Sequence, residues 1–365
     1  MSDRDRIPQL GFSCNQPKAG SPPTPDRVKP DKAFVRDFFE DKVNAPDGRR
    51  IRYWSFDDGS GRRRLTSPLI RVTEGDIVHV TVKSSKRVHT IHHHGIEPEP
   101  INDGVGHTSF EISGSYTYQW QVDRANPDIL DTGGAGTYFY HCHVNTPLHV
   151  QMGMFGPLVV DPVPAPTDPP GMRRAFGDGP LYDVRWERII APWAVDPRWH
   201  ELNHDAGLCD FDDLGDPEEA ALNDFRPRYF LINGSFQPRG ANATIQAADV
   251  KVDGARPGEP ILIRFVNAGY FLNRVTFNGL DTDVIASDGR AFRDQDGRPR
   301  SVRLAPAANG ARSFTTGAAE RYDCLLNMPD APAAPGTYLV TVEFLDWIDP
   351  HPVVGMAATT ITIRP

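Results

Sequence analysis

Two short segments of the chain concentrate the residue types that bind transition metals. Cys142 stands between His141 and His143, and upstream His89 is followed by the run His92-His93-His94. Side chains of a β-strand alternate between its two faces, so His141 and His143 share one face while Cys142 points to the other. The spacing therefore predicts two metal sites joined through one short piece of backbone, an arrangement suited to copper and electron transfer.

The first predicted site takes its donors from a strand and from the segment after Cys142. Two imidazoles, one thiolate and one thioether make the ligand set of a type 1 copper centre. Met154 follows His149 by five residues, the step such loops favour, and Met152 is the alternative axial ligand. Zinc is the competing metal, but a soft thioether donor disfavours it. The predicted ligands are His89, Cys142, His149 and Met154.

The second predicted site consists of two His-x-His pairs on adjacent strands. For a single histidine, packing is the more frequent role, but Cys142 between two members of this set favours metal binding. His93 faces away from its neighbours and is expected to pack, His79 is expected to be structural, and the role of His107 stays open. The predicted ligands of the second site are His92, His94, His141 and His143.

The segment from His200 to His204 matches the H-E-x-x-H pattern of zinc proteases, with Glu201 as the base. That chemistry requires a helix that places both histidines on one face. No helical apolar pattern surrounds the segment, and no third ligand is evident. We therefore predict an irregular loop and a chance match.

Composition narrows the class of protein. The chain has 365 residues with a formal net charge of −9, which disfavours a nucleic-acid partner. No apolar run reaches the roughly 20 residues of a membrane helix. The N-terminus has no signal-peptide pattern, so we expect a cytoplasmic protein or a processed one. Besides Cys142, the cysteines Cys14, Cys209 and Cys324 permit one disulfide, although reduced buried thiols are the simpler expectation.

The positions of strand-like runs and turn residues predict the organisation of the chain. Residues 1–33 are polar and Pro-rich, as in an arm. Short alternating β-rich runs then fill residues 34–161, a Pro-rich linker covers 162–171, and a second β-rich unit covers 172–365. With 34 prolines and 32 glycines, the composition favours many short strands. The predicted fold is all-β, with two β-sandwich domains.

The two units look like copies of one another. Gly136-Thr137-Tyr138 recurs as Gly336-Thr337-Tyr338. The slots of the six metal-binding residues His89, His92, His94, His141, Cys142 and His143 hold Asn273, Thr276, Asn278, Thr341, Val342 and Glu343. The second domain is therefore expected to keep the fold and lack the metal ligands.

Several of these segments resemble motifs of the multicopper oxidases. His92-His93-His94-Gly95 is similar to that family's His-Trp-His-Gly segment, and residues 136–143 and 156–160 follow in the family's order. The resemblance covers both domains and is specific in the first. It implies two cupredoxin-like Greek-key domains, with type 1 copper in the first.

The resemblance also implies an activity. A small reducing substrate would give electrons to type 1 copper, and electrons would pass through Cys142 to His141 and His143, beyond which type 2 and/or type 3 copper reduces oxygen. Asp103 falls where the family places a carboxylate that assists proton delivery. The similar two-domain subgroup is typically a homotrimer.

Because the second domain lacks the metal-binding residues of the first, other functions stay open. The chain could be a copper-binding electron-transfer module that docks on a protein partner. It could also hold one type 2 copper at a subunit interface, with His351 or the pair His200 and His204 lent by a neighbour, as in nitrite reductases. His92 and His143 both depart from the nitrite reductase pattern and favour the oxidase lineage.

Overall fold

The computed structural model describes residues 19–20, 28–61, 63, 65–122, 134–206, 225–236, 250–346 and 352–365. Strands dominate these residues, and the only α-helices among them are two short ones, α1 (Pro100–Asp103) and α2 (Thr146–Gln151). No helix in these ranges is long and apolar enough to cross a bilayer. The all-β prediction is confirmed.

The first domain is a sandwich of two sheets. Its strands are β1 (Ala19–Gly20), β2 (Lys32–Asn44), β3 (Arg50–Asp57), β4 (Ile70–Thr73), β5 (Ile77–His89), β6 (His92–His94), β7 (Glu111–Gln121), β8 (Gly136–His141) and β9 (Phe155–Asp161). They form the sheets β1-β7-β5-β2-β3 and β4-β9-β8-β6. Val78, Val80 and Val82 are fully buried on one face of β5 and pack with Tyr138 and Tyr140 of β8 in the core between the sheets. The alternation read from the sequence is therefore the alternation of core and outer faces.

The second half of the chain repeats this architecture with more strands. They are β10 (Met172–Arg174), β11 (Leu181–Asp183), β12 (Glu187–Ile190), β13 (Pro192–Val195), β14 (Tyr229–Ile232), β15 (Ser235–Phe236), β16 (Val252–Ala255), β17 (Ile261–Val266), β18 (Leu272–Asn278), β19 (Thr282–Ser287), β20 (Arg290–Ala291), β21 (Val302–Arg303), β22 (Ala311–Thr316), β23 (Arg321–Leu326), β24 (Gly336–Leu345) and β25 (Val353–Ile363). The two large sheets run β12-β17-β23-β19-β20 and β16-β25-β24-β18-β22. One 3-10 turn, Val184–Trp186, comes just before β12, and another, Trp199–Glu201, follows β13.

Equivalent strand pairs in the two halves have the same register. His92 lies opposite His141 in the β6–β8 pair, and Thr276 lies opposite Thr341 in the β18–β24 pair. A tyrosine at the start of β8 and one at the start of β24 each donate to the carbonyl four residues upstream: Tyr138 to Gly134 at 2.8 Å and Tyr338 to Ala334 at 2.7 Å. The sequence-based alignment of the two halves is therefore reproduced by backbone pairing.

The two domains meet at a buried network of charges. Arg264, with no exposed surface, donates to Glu187 at 2.6 Å and to Asp323 at 3.0 Å. Glu187 also accepts from Arg71 of the first domain at 2.7 Å. Thr137, on the strand that leads to Cys142, donates to Asp323. Because its members come from both halves, this network fixes the first domain against the second.

A segment from the second half also enters the core of the first. Trp199 and Ala206 are buried within the first domain's hydrophobic cluster. The predicted linker, residues 162–171, contains no strand. Cys324 is a free, buried thiol, as expected, while Cys14, Cys209 and most of the predicted arm lie outside the described residues.

Candidate metal sites

Cys142 and two histidines converge in the first domain's core. The Cys142 Sγ lies 3.6 Å from Nδ1 of His89 and 3.2 Å from Nδ1 of His149. His89 ends β5, Cys142 follows β8, and His149 lies on α2. All three side chains are fully buried. Both imidazoles thus present the same nitrogen to the thiol, as ligands of one metal ion do.

Backbone hydrogen bonds join Met154 to the same cluster. The Cys142 N–H donates to the Met154 carbonyl at 3.0 Å, and the Met154 N–H donates to the His149 carbonyl at 3.1 Å. The Met152 carbonyl instead accepts from Trp54. Both methionines are buried, but only Met154 is tied by its backbone to Cys142 and His149. This difference favours Met154 over Met152 as the thioether of the first site.

The protonation states of this cluster suit a thiophilic metal. Burial raises the pKa of the Cys142 thiol to about 12, so its thiolate requires a cation beside it. Burial also holds the pKa values of His89 and His149 well below their ordinary value, which keeps both rings neutral with a lone pair available. A soft thiolate with two imidazoles and a thioether fits copper better than zinc.

The predicted second site lies on the other side of the same strand. Donor atoms of His92, His94 and His141 all lie within 4.8 Å of one another. The His143 ring centroid is 5.5 Å from that of His92 and 5.7 Å from that of His141. The His94 Nδ1 faces the His141 Nε2 at 3.4 Å. The structure therefore brings His92, His94 and His141 within reach of one metal ion and places the His143 ring beside them.

Hydrogen bonds orient two of these rings. The His141 Nδ1 lies 2.9 Å from the Cys142 carbonyl, and the His92 Nδ1 lies 2.8 Å from the Asp103 carbonyl. A carbonyl only accepts, so each Nδ1 carries the proton and each Nε2 keeps its lone pair for a metal. The Asp103 carboxylate lies 3.2 Å from the same His92 nitrogen. Asp103, to which the family resemblance assigned proton delivery, thus contacts a predicted ligand of the second site.

Three rings of the second site, those of His94, His141 and His143, are held neutral. Burial lowers the pKa of His94 to about 3, with the charge of Arg321 acting in the same direction. Burial also holds the pKa of His141 well below its ordinary value and lowers that of His143. Neutral imidazoles are the form that binds a metal, so the donor set fits copper at neutral pH.

Comparison with known proteins agrees with these geometries. A family model described as multicopper oxidase matches residues 62–165, a stretch that contains every predicted ligand of both sites. Residues 62–165 form a multicopper oxidase domain.

Relatives and solved structures extend the likeness. Copper resistance protein A of Pseudomonas syringae pv. tomato is 29% identical over 280 residues, 63% of this chain and 40% of that protein. L-ascorbate oxidase of Cucumis sativus is 30% identical over 169 residues, 43% of this chain and 24% of that enzyme. The matches thus cover less than half the length of each relative. The blue copper oxidase from Nitrosomonas europaea has the same fold, with a TM-score of 0.60, 23% identity, and coverage of 91% of this chain and 86% of that one.

The second domain presents different chemistry in the equivalent slots. Thr276 and Thr341 occupy the positions of His92 and His141, and Glu343 forms an ion pair with Arg274 at 3.1 Å. Val342 is fully buried where the multicopper oxidase domain has Cys142. Among the described residues, the only clusters of potential metal ligands lie around the two sites of the first domain.

The H-E-x-x-H residues do not form a metal site. The segment is a 3-10 turn followed by loop, as the sequence indicated. The His200 Nδ1 contacts the Arg52 carbonyl, and its Nε2 lies 3.4 Å from the Gln151 side chain. His204 instead packs on the first site, with ring centroids 4.4 Å from His149 and 5.0 Å from His89. The sequence analysis missed this neighbour, and no local pattern could have found it.

The remaining histidines of the multicopper oxidase domain take no part in either cluster. His93 is buried on the opposite face from His92 and packs against Trp120, with ring centroids 5.1 Å apart. His107 is exposed. His351, considered as a ligand lent by a neighbouring subunit, lies outside the described residues.

Proposed function

We propose that the protein is a copper-dependent oxidoreductase that oxidises a small reducing substrate one electron at a time and reduces oxygen. The type 1 copper ligands are His89, Cys142, His149 and Met154, and the second copper site is held by His92, His94, His141 and His143. The observation that carries the proposal is the position of Cys142, whose side chain belongs to one donor cluster while both flanking residues belong to the other. Bound copper would supply the one-electron redox chemistry at each site.

The protein's part in this function is to hold two donor sets at a short, fixed separation. Residues 141, 142 and 143 are consecutive, so the two clusters are connected by covalent bonds alone. The His143 N–H donates to Thr90 Oγ1 at 3.0 Å, which ties this segment to the residue after His89. Burial excludes water from the first cluster. A rigid, dry path of this kind lowers the reorganisation that accompanies electron transfer.

Asp103 is the group best placed to deliver protons to the second site. Its carboxylate is one-quarter exposed and lies 3.2 Å from His92 Nδ1. It therefore contacts both solvent and a ring that faces the donor cluster. Four protons are needed for each oxygen reduced to two water molecules, and Asp103 offers a route for them that does not pass through the buried first site.

A homotrimer is part of the proposal. The rings of His92, His94 and His143 are partly exposed, so the second cluster is open on one side. In a ring of three chains, this side would face the second domain of the next chain, whose corresponding residues are Thr276, Thr341 and Glu343. Thr276→His with Thr341→His should then raise the copper content per chain in the trimer. Light scattering gives the mass, and a monomer would contradict this arrangement.

A second candidate function is electron transfer to a partner protein. The absence of histidines from the slots of Thr276, Thr341 and Glu343 favours it, because a partner would then supply the missing ligands. The two candidates differ in what the isolated protein does. Steady oxygen consumption with a reducing substrate supports the oxidase, while reduction of the blue centre without oxygen uptake supports the module.

The deciding experiment is copper reconstitution of the full chain. We expect copper at both sites, an intense visible absorption from the Cys142 thiolate, and oxygen uptake with hydroquinone. A protein that binds no copper and shows no visible band would overturn both candidates. Adding nitrite in place of oxygen tests the nitrite reductase alternative in the same assay.

A further inference from the structure

We infer that His204 is the residue through which electrons reach the first copper site, from a donor bound in the cavity outside it. The inference rests on the proposed function. The cavity has a volume of about 330 Å³ and is lined by Arg87, Val88, Asn203, His204 and Asp205. None of these residues is among the predicted ligands, although a ring nitrogen of His204 lies within 4.8 Å of donor atoms of His89 and His149.

The first site is closed to direct contact by a donor. His89, Cys142, His149 and Met154 each have 0% exposed surface. A donor in solution therefore touches none of the ligands and must pass electrons through a residue that covers them. Phe38 and Trp54 of the first domain pack against His89 and His149, and the loop after the 3-10 turn Trp199–Glu201 covers the site from the second half of the chain. Of Phe38, Trp54 and His204, only His204 lines the cavity.

His204 is the member of this loop that contacts the site. The His149 Nε2 donates to the His204 carbonyl at 3.2 Å, which leaves the His149 Nδ1 lone pair for the metal. The Nε2 of His89, by contrast, has no hydrogen-bond partner among the described residues. The His204 ring packs on both imidazoles, with centroids 4.4 Å from that of His149 and 5.0 Å from that of His89. The route from the first site to the cavity therefore runs through the His204 ring.

The His204 ring is itself held in one position. Its Nε2 donates to the Val88 carbonyl at 3.0 Å, and its Nδ1 lies 2.5 Å from the Asp205 carboxylate. Asn145 donates to the His204 carbonyl at 3.2 Å and to the Ala206 carbonyl at 2.8 Å. One side of the His204 ring thus lines the cavity, and the other side packs against His89 and His149.

The cavity suits a small donor with hydrogen-bonding groups. Asp205 has a side chain that is 79% exposed, and Arg87 and Asn203 complete a polar rim. With hydroquinone as the donor, His204 would conduct one electron toward the copper that the first site would hold, and hydroquinone would become its neutral one-electron-oxidised radical. The O–H proton released from hydroquinone passes to the Asp205 carboxylate or to water. A volume of this size admits a single aromatic ring.

The test follows bleaching of the blue absorption by hydroquinone without oxygen. His204→Leu preserves bulk and the backbone carbonyl, so we expect unchanged copper content and band position with a limiting bleaching rate at least tenfold slower. His200→Leu, in the 3-10 turn before this loop and facing the Arg52 carbonyl, is the matched control and should bleach as the unmodified protein does. Equal rates in the two variants, or a shifted band in His204→Leu, would overturn the inference.

A second pair of variants tests the cavity if His204→Leu does not fold. Asp205→Asn should weaken hydroquinone binding to the copper-free protein several-fold in calorimetry, whereas Glu201→Gln, an exposed carboxylate outside the cavity, should not. Equal binding by both variants contradicts the cavity as the donor site. If the unmodified protein lacks a blue band, the proposed function itself fails. If the band is normal and neither His204→Leu nor Asp205→Asn has an effect, only this inference is rejected.

Discussion

His92 lies directly opposite His141 across the antiparallel pair of β6 and β8. This pairing brings one His-x-His segment against the other, so donor atoms from both strands fall within 4.8 Å. The corresponding pair in the second half is Thr276 and Thr341, in the same register. One backbone arrangement therefore serves a metal cluster in one domain and a plain sheet surface in the other, and the difference lies in side chains alone.

Replacing Cys142 by serine should abolish the intense visible band. A hydroxyl is a hard and weakly acidic donor, so the first site loses its thiolate, while His92, His94 and His141 are left intact. We expect copper at the second site to remain, measured by metal analysis and electron paramagnetic resonance. Cys324→Ser is the matched control because Cys324 is an equally buried thiol in the second domain. Both variants should lose stability, about 1–3 kcal/mol from a buried unpaired hydroxyl, but only Cys142→Ser should lose the band.

Replacing His94 by glutamine should empty the second site and spare the first. His94 faces the His141 Nε2 at 3.4 Å and has no contact with Cys142 in the described structure. We expect unchanged visible absorption, a lower copper content and oxygen uptake reduced at least a hundredfold. His107→Gln, an exposed histidine of the same domain, should behave as the unmodified protein. Loss of the blue band in His94→Gln would show that the two sites do not fold independently.

The charge network between the domains should make stability depend on acid pH. Burial alone would raise the pKa of Glu187, but the charges and hydrogen bonds of Arg264 and Arg71 outweigh it and lower the pKa to about 2. The ordinary value is 4.5, so between pH 4.5 and 2 the unfolded chain binds the proton more readily. Stability from Glu187, about 3 kcal/mol at neutral pH, is therefore present above pH 4.5 and lost as pH falls toward 2.

Glu187→Gln tests this dependence. We expect the substitution to lower the free energy of unfolding by about 3 kcal/mol at pH 7, because Arg264 is left buried without one partner. The loss should become progressively smaller as the pH falls below 4.5. Burial raises the pKa of Asp323, which acts in the opposite direction, so the difference between variant and unmodified protein is the quantity to follow. Asp253→Asn, which breaks an exposed ion pair with Arg364, should change stability by less than about 0.5 kcal/mol. A pH-independent difference for Glu187→Gln would contradict the assignment.

Gly104 should tolerate no side chain. Its φ is +76°, and a Cβ there would lie 1.9 Å from the Ile91 carbonyl oxygen, next to His92. Gly48 has a similar φ of +84° with nothing within 4 Å, so Gly48→Ala isolates the backbone strain, about 1–2 kcal/mol. Gly104→Ala should cost a further 1–3 kcal/mol, roughly, from overpacking and weaken copper binding at the second site. Denaturant unfolding and copper titration measure the two effects, and equal costs for the two variants would rule out the clash.

Much of both sites could be read from local pattern. The alternation of side chains along a strand is set by backbone geometry, so His141, Cys142 and His143 had to divide between two faces wherever the strand lay. The His-x-His spacing likewise predicted that the side chains of His92 and His94 share one face of their strand. The missing ligands of the second domain followed from direct comparison of Thr276, Thr341 and Glu343 with their counterparts.

The sequence by itself determined the all-β fold and predicted the internal duplication and the donor residues, because these depend on periodicity and residue type over short stretches. Only the tertiary structure decided what covers the donors. His204 contacts His149 from 55 residues away, and Arg264 joins Glu187 from 77 residues away. Such contacts arise from how the second half of the chain packs on the first, and no local spacing encodes them. The same packing that buries the first site also forms a cavity beside it. Access to the first site is therefore set by the fold and not by the motif.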